Sequence, residues 1–176
     1  LRGKSMETGQ FSAEQREAQF DQLQTAQDHV LNLVYWHEFL QCIERAGFRS
    51  SKMLSGVNAV LYTYALWLIG RTQYNVPLDQ LREVIARWFF MAHTTARYSG
   101  SFETTFESDM GRLSSLQAGD AAGFVALLDQ IVNDRFTSDY WSITLPNELA
   151  TSASKSPALM AYLAALNIHD ADVLLS

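Results

Sequence analysis

Arg97-Tyr98-Ser99-Gly100-Ser101, followed at once by Glu103, Glu107 and Asp109, is where polar side chains converge most densely in this chain. Two chemistries are conceivable there. Grouped carboxylates offer several hard oxygens to a divalent ion. Glu103 and Glu107 stand four apart and share a helix face, with Asp109 on a neighbouring one. Backbone N–H groups at a helix start, beside Arg97, could instead hold an anion. A third reading is structural. Acids in a first helical turn complement the helix dipole, and Arg97, Arg87 and Arg112 are available partners. Ser99 and Ser101 have no base beside them in sequence, which argues against a nucleophile. His93 precedes the turn on the arginine-bearing helix and joins the candidate residues. His29, His37 and His169 show no metal-ligand spacing, and no paired His-Glu or Cys-rich zinc pattern occurs. The sequence therefore nominates Arg97, Tyr98, Ser99, Ser101, Glu103, Glu107, Asp109 and His93 as a binding surface. It nominates no catalytic set, no metal site and no cofactor within the chain.

The elements that must position these residues read as helices throughout. Ser12 with Gln15 forms a capping-box pattern. Phe20, Leu23, Val30, Leu31, Val34, Phe39, Leu40 and Ile43 then recur at helical spacing, as one long helix or two broken near Asp28, stopping at Gly47. Ser55 is a plausible cap for Val57 to Arg71, whose apolar residues cover nearly every face and predict a central, buried helix. Pro77 is expected at a first helical position ahead of Leu78, Leu81, Val84, Ile85, Trp88 and Phe89. Ser101 is expected to cap Phe102 to about Leu116, and Asp120 a helix with Phe124, Leu127, Leu128 and Ile131 inward. Asp139 opens a short helix through Trp141, Ser142 to Leu145 is the one β-like scrap, and Pro146 ends or bends the next segment. Ser156-Pro157 starts Ala158 to Ile168. The predicted fold is all-α, a bundle of about seven helices. Residues 1–11 are expected to be poorly ordered or appended, and 12–176 to form a single helical domain.

Composition bounds the function. The 176 residues are 48% apolar, with 10 Phe, 7 Tyr and 4 Trp, enough for a sizeable core. A net charge of −6 disfavours the bulk surface for nucleic acid. Arg45, Arg49 and Lys52 form a small basic patch that reads as a solvated loop. The lone Cys42 excludes an internal disulfide and reads as an inert buried thiol. The longest apolar run, Val57 to Gly70, is too short and too polar for a bilayer. A reducing cytoplasmic setting is expected. Beginning at Leu1 and ending in Val173-Leu174-Leu175-Ser176, the chain is expected to be a fragment of a larger protein.

Three stretches carry a resemblance. They are Asn58-Ala59-Val60-Leu61-Tyr62 with Gly70-Arg71; Arg87-Trp88-Phe89-Phe90 leading to the Arg97 turn and its acids; and Leu145-Pro146 with Ala165-Leu166-Asn167. From about Phe20 onward the chain resembles the helical region of modification-dependent restriction endonucleases of the GmrSD type. Such proteins carry a ParB-like nucleotide-hydrolysing domain before that region and an HNH nuclease after it. The resemblance implies a non-catalytic scaffold coupling the two. It implies flanking domains and, through the parent, DNA as partners, with nucleotide and divalent metal used by the parent and oligomerisation possible. The Asp-Gly-Gln-Gln-Arg-like motif of the first domain is absent from this sequence. So is the His-His start of the nuclease, because His169-Asp170 has no adjacent His. No catalytic residue carries over. The alternatives are a module contacting DNA or nucleotide through the Arg97–Ser101 turn, and a metal-dependent enzyme using Glu103, Glu107 and Asp109.

Overall fold

The computed structural model describes residues 11–151 and 153–169; the expected segment 1–11 lies, apart from Phe11, outside them. Eight α-helices and no sheet occur among the described residues: α1 Ala13–Val30, α2 Leu33–Arg45, α3 Val57–Thr72, α4 Leu78–Thr94, α5 Phe102–Leu113, α6 Ala121–Arg135, α7 Leu145–Ala150 and α8 Pro157–Ile168. A 3-10 turn at Ser51–Met53 and a π-helical turn at Tyr140–Thr144 complete the order. No described helix is long and apolar enough to cross a membrane. The chain divides into two compact units, Leu1–His37 and Glu38–Ser176, with the division inside α2.

In the first unit, the Ser12 hydroxyl accepts the Gln15 N–H at 3.1 Å and opens α1. The reciprocal half of the capping box is missing, since Gln15 Oε1 has no partner. The break falls at Leu31 and Asn32 rather than near Asp28. Asn32 Oδ1 accepts the N–H groups of Val34 and Tyr35 at 2.9 and 3.3 Å and so starts a new helix. No residue of α1 is buried.

In the second unit α2 ends as a Schellman motif. Gly47 sits at φ 88°, its N–H bonds Glu44 C=O, and Phe48 N–H bonds Ile43 C=O. A Cβ on Gly47 would lie 2.1 Å from the Ala164 carbonyl oxygen, so only glycine lets α8 approach. Asn167 Nδ2 donates to Gly47 C=O at 2.7 Å, and Arg49 Nη2 donates to Asn167 C=O at 2.9 Å.

The central helix is α4, not α3. It packs on α3, α6 and α8, and ten of its residues are buried, among them Leu81, Ile85, Trp88 and Phe89. α3 buries Leu66 and Trp67 completely but leaves Val57 and Leu61 more than half exposed. An apolar circumference exceeds what its neighbours cover. Gly70 lets Leu81 and Phe124 close on α3, since a Cβ would lie 2.7 Å from Leu81 Cδ1.

Other start signals differ in detail. Pro77 is the N-cap of α4, one residue before the expected place. Ser55 does not cap α3; Gly56 holds that position without a side-chain bond. Asp120 Oδ1 accepts Gly123 N–H at 2.8 Å and Ser156 Oγ accepts Leu159 N–H at 3.2 Å, both as expected. Leu127 is only half-buried on α6, where Val132 is buried instead. Ser142 to Leu145 is not β-like: the segment is π-helical and runs into α7, with Pro146 in its first turn. Cys42 is fully buried, and burial pushes its thiol up to about 12, which leaves it unreactive at neutral pH.

Candidate functional site

The Arg97 turn is built by the end of α4. Arg97 N–H bonds Ala92 C=O at 2.9 Å and Ala96 N–H bonds His93 C=O at 3.2 Å, a second Schellman motif. Here the left-handed position is filled by Ala96, at φ 47°, where glycine is usual. The turn continues with Ser99, whose hydroxyl donates to Ala96 C=O at 2.7 Å, and Gly100 at φ 68°. This reversal folds Arg97 and Tyr98 back towards α5.

Both side chains converge on Asp109. Arg97 Nε donates to Oδ2 at 3.2 Å, and Arg97 Nη2 donates to Oδ1, a bidentate pair. The Tyr98 hydroxyl donates to Oδ2 at 3.0 Å. Asp109 is 2% exposed and the Arg97 side chain 18%. Trp88 lies beneath the guanidinium, 5.3 Å from ring centroid to Cζ. Tyr62 packs on Tyr98 and Phe106 at 5.0 and 4.6 Å, and closes the cluster. Burial, with the Asp109 charge, pushes the Tyr98 hydroxyl well up. Burial alone would lower Arg97, but the Asp109 carboxylate outweighs it and holds the guanidinium up. The result is a locked, charge-balanced joint between α4 and α5.

His93 belongs to a different environment. It is 2% exposed, and its ring lies 4.5 Å from Phe48. Ser55 N–H donates to Nε2 at 3.1 Å, and the Ser55 hydroxyl lies at 3.1 Å from the same nitrogen. An N–H donor fixes Nε2 as the acceptor and places the proton on Nδ1, which has no hydrogen-bond partner. Burial lowers its pKa to about 4; the Met53 backbone opposes this without closing a hydrogen bond. His93 is therefore neutral at physiological pH and serves to anchor the approach to α3.

Of the nominated residues, Arg97, Tyr98 and Asp109 meet in one knot. His93, Tyr98 and Ser99 line a cavity of about 380 Å³ that also touches the α3 N-terminus and Lys155. Glu103 and Glu107 are exposed while Asp109 is buried, so the three carboxylates do not share a site. Among the described residues no three His, Cys, Asp or Glu side chains are placed to hold a metal. Ser101 stands at the N-cap of α5, but its side chain makes no capping bond, and α5 ends at Leu113 rather than Leu116. Arg87 does not serve the α5 acids: its Nη2 pairs with Asp129 on α6 at 2.9–3.0 Å. Sequence reasoning missed Trp88 as the platform under Arg97. The nine-residue separation puts the two on different helical turns, and only the Schellman reversal joins them.

No protein-family model, no curated protein and no solved structure matches the chain.

Proposed function

We propose that this chain is a non-catalytic helical scaffold. Its place would be within a restriction-type defence protein of the cytoplasm, between a nucleotide-hydrolysing domain and an HNH nuclease. The supporting observation is the use of the Arg97–Ser101 turn. Arg97 and Tyr98 turn inward onto the buried Asp109, with the guanidinium seated on Trp88, which makes the turn a mechanical joint rather than an open site. A rigid joint between α4 and α5 suits a body that transmits position between flanking domains. Nucleotide, divalent metal and DNA would be handled by the parent's other domains. Oligomerisation would be a property of that parent as well.

Two measurements test this. The isolated chain, given magnesium and nucleotide, should leave modified and unmodified DNA intact. Arg97→Ala should destabilise it by about 3–5 kcal/mol in denaturant titration, because Asp109 stays buried without its counter-charge. Metal-dependent cleavage that disappears on Glu107→Ala would overturn the scaffold reading. An Arg97→Ala chain of unchanged stability would remove its support.

A further inference from the structure

A second cavity, of about 550 Å³, opens between α4, α6 and the π-helical turn, away from the Arg97 joint. That volume falls within the usual range of small-molecule sites. Its walls are aromatic. Phe136 lies 6.2 Å from Phe90 and 4.7 Å from Trp141, measured between ring centroids. Trp141 is 46% exposed although Phe136 and Tyr140 pack against it. The Tyr140–Thr144 turn that carries Trp141 is π-helical, a rare conformation that recurs where a side chain must be placed for function.

The rim is polar. Arg45 and Arg87 both border the cavity, with Glu83 and Asn133. Arg45 gives Nε and Nη2 to a single oxygen of Glu83, at 2.9 and 2.6 Å. Arg87 uses Nη2 alone, for Asp129. A guanidinium has five N–H donors, so each retains donors for a further acceptor. Each guanidinium already stands beside a carboxylate, Glu83 or Asp129, so what the rim offers an incoming acceptor is its unspent N–H donors rather than a net charge. A cleft with aromatic and aliphatic walls and spare guanidinium donors at its edge suits a ligand that joins an aromatic ring to an acceptor group.

We propose that this cleft binds a small planar aromatic anion, an aryl carboxylate in class. The ring stacks against Trp141 and Phe136, and the carboxylate is held by Arg87 and Arg45. The site stands independently of the scaffold reading, and each can fail without the other.

The probes are 2-naphthoate, neutral 2-naphthol and cyclohexanecarboxylate, titrated by calorimetry with tryptophan fluorescence. 2-Naphthoate should bind once per chain. Each of the other two should bind at least about tenfold more weakly, the size of one lost charge-assisted or stacking contact. Trp141→Ala should weaken 2-naphthoate about tenfold or more. Arg87→Gln should weaken 2-naphthoate but leave 2-naphthol unchanged. Unfolding curves identify which variants remain folded, and Phe20→Ala, on α1, should leave binding as it was. Absence of saturable 2-naphthoate binding to the unmodified chain overturns the proposal. So does equal affinity for the acid and the alcohol, or a folded Trp141→Ala chain that binds normally.

Discussion

Ala96 holds a backbone angle that glycine adopts without cost, and it does so at the hinge that aims Arg97 inward. An L-residue in the left-handed region is strained by about 1 kcal/mol. Ala96→Gly should relieve this strain and raise stability by about 0.5–1 kcal/mol, net of the added freedom of the unfolded chain. A melting series of Ala96, Gly and Val at this position checks it, with Val the least stable. His93 makes a second prediction at this scale. Its folded pKa, about 4, lies below the ordinary 6.5. The unfolded chain therefore binds more protons between those values, and stability falls as pH falls through that window. From pH 7.5 to pH 5 the loss should be roughly 2 kcal/mol. Protonated Nε2 would also face the Ser55 N–H it now accepts from. A His93→Gln chain that folds should show a flatter acid limb in denaturant titrations across the same range.

At the scale of elements, Trp67 on α3 is the sharpest test of the core. It is fully buried, and Tyr64 lies against it at 6.3 Å. Trp67→Ala should cost about 3–5 kcal/mol, read from the shift in denaturation midpoint at constant slope. The elements also show what a sequence can and cannot display. α6 and α8 are legible because their starts are local: Asp120 and Ser156 each bond an N–H three residues on. The same kind of signal misleads at Ser55 and Ser101. Ser55 turns to His93, 38 residues away, and the Ser101 side chain leaves its helix uncapped. A cap residue with a better tertiary partner does not cap. The centrality of α4 was hidden because Glu83 and Arg87 break its apolar pattern, although their charged ends reach ion pairs across the surface. Asp109 could be read as a partner for Arg97, but not in preference to Glu107; burial decided between them. The aromatic cleft could not be read at all, since Phe90, Phe136 and Trp141 meet only through the packing of α4, α6 and the π turn.

At the scale of the whole molecule, the first unit and the second differ in how they are held. α1 contributes no buried residue, and Phe20, Leu23 and Val30 stand at least half exposed along it. The core lies in α3, α4, α6 and α8. A chain shortened to begin at Asn32, which keeps the cap of α2, should retain the melting temperature of the full chain within about 2 °C. Its helical circular dichroism should fall only by the share of α1. A drop of about 10 °C or loss of cooperative melting would show that α1 carries stability that its exposure does not reveal.

The contact between Gly47 and α8 has a consequence in time. The Asn167 side chain bonds a carbonyl 120 residues earlier in the chain. At about 5–20 residues per second of synthesis, roughly 6–24 s pass between the emergence of one partner and the other. During that interval the bare backbone beside Gly47, shaped to receive Ala164, has nothing in it. The early helices must therefore persist on the ribosome with this seam open until α8 arrives to close it.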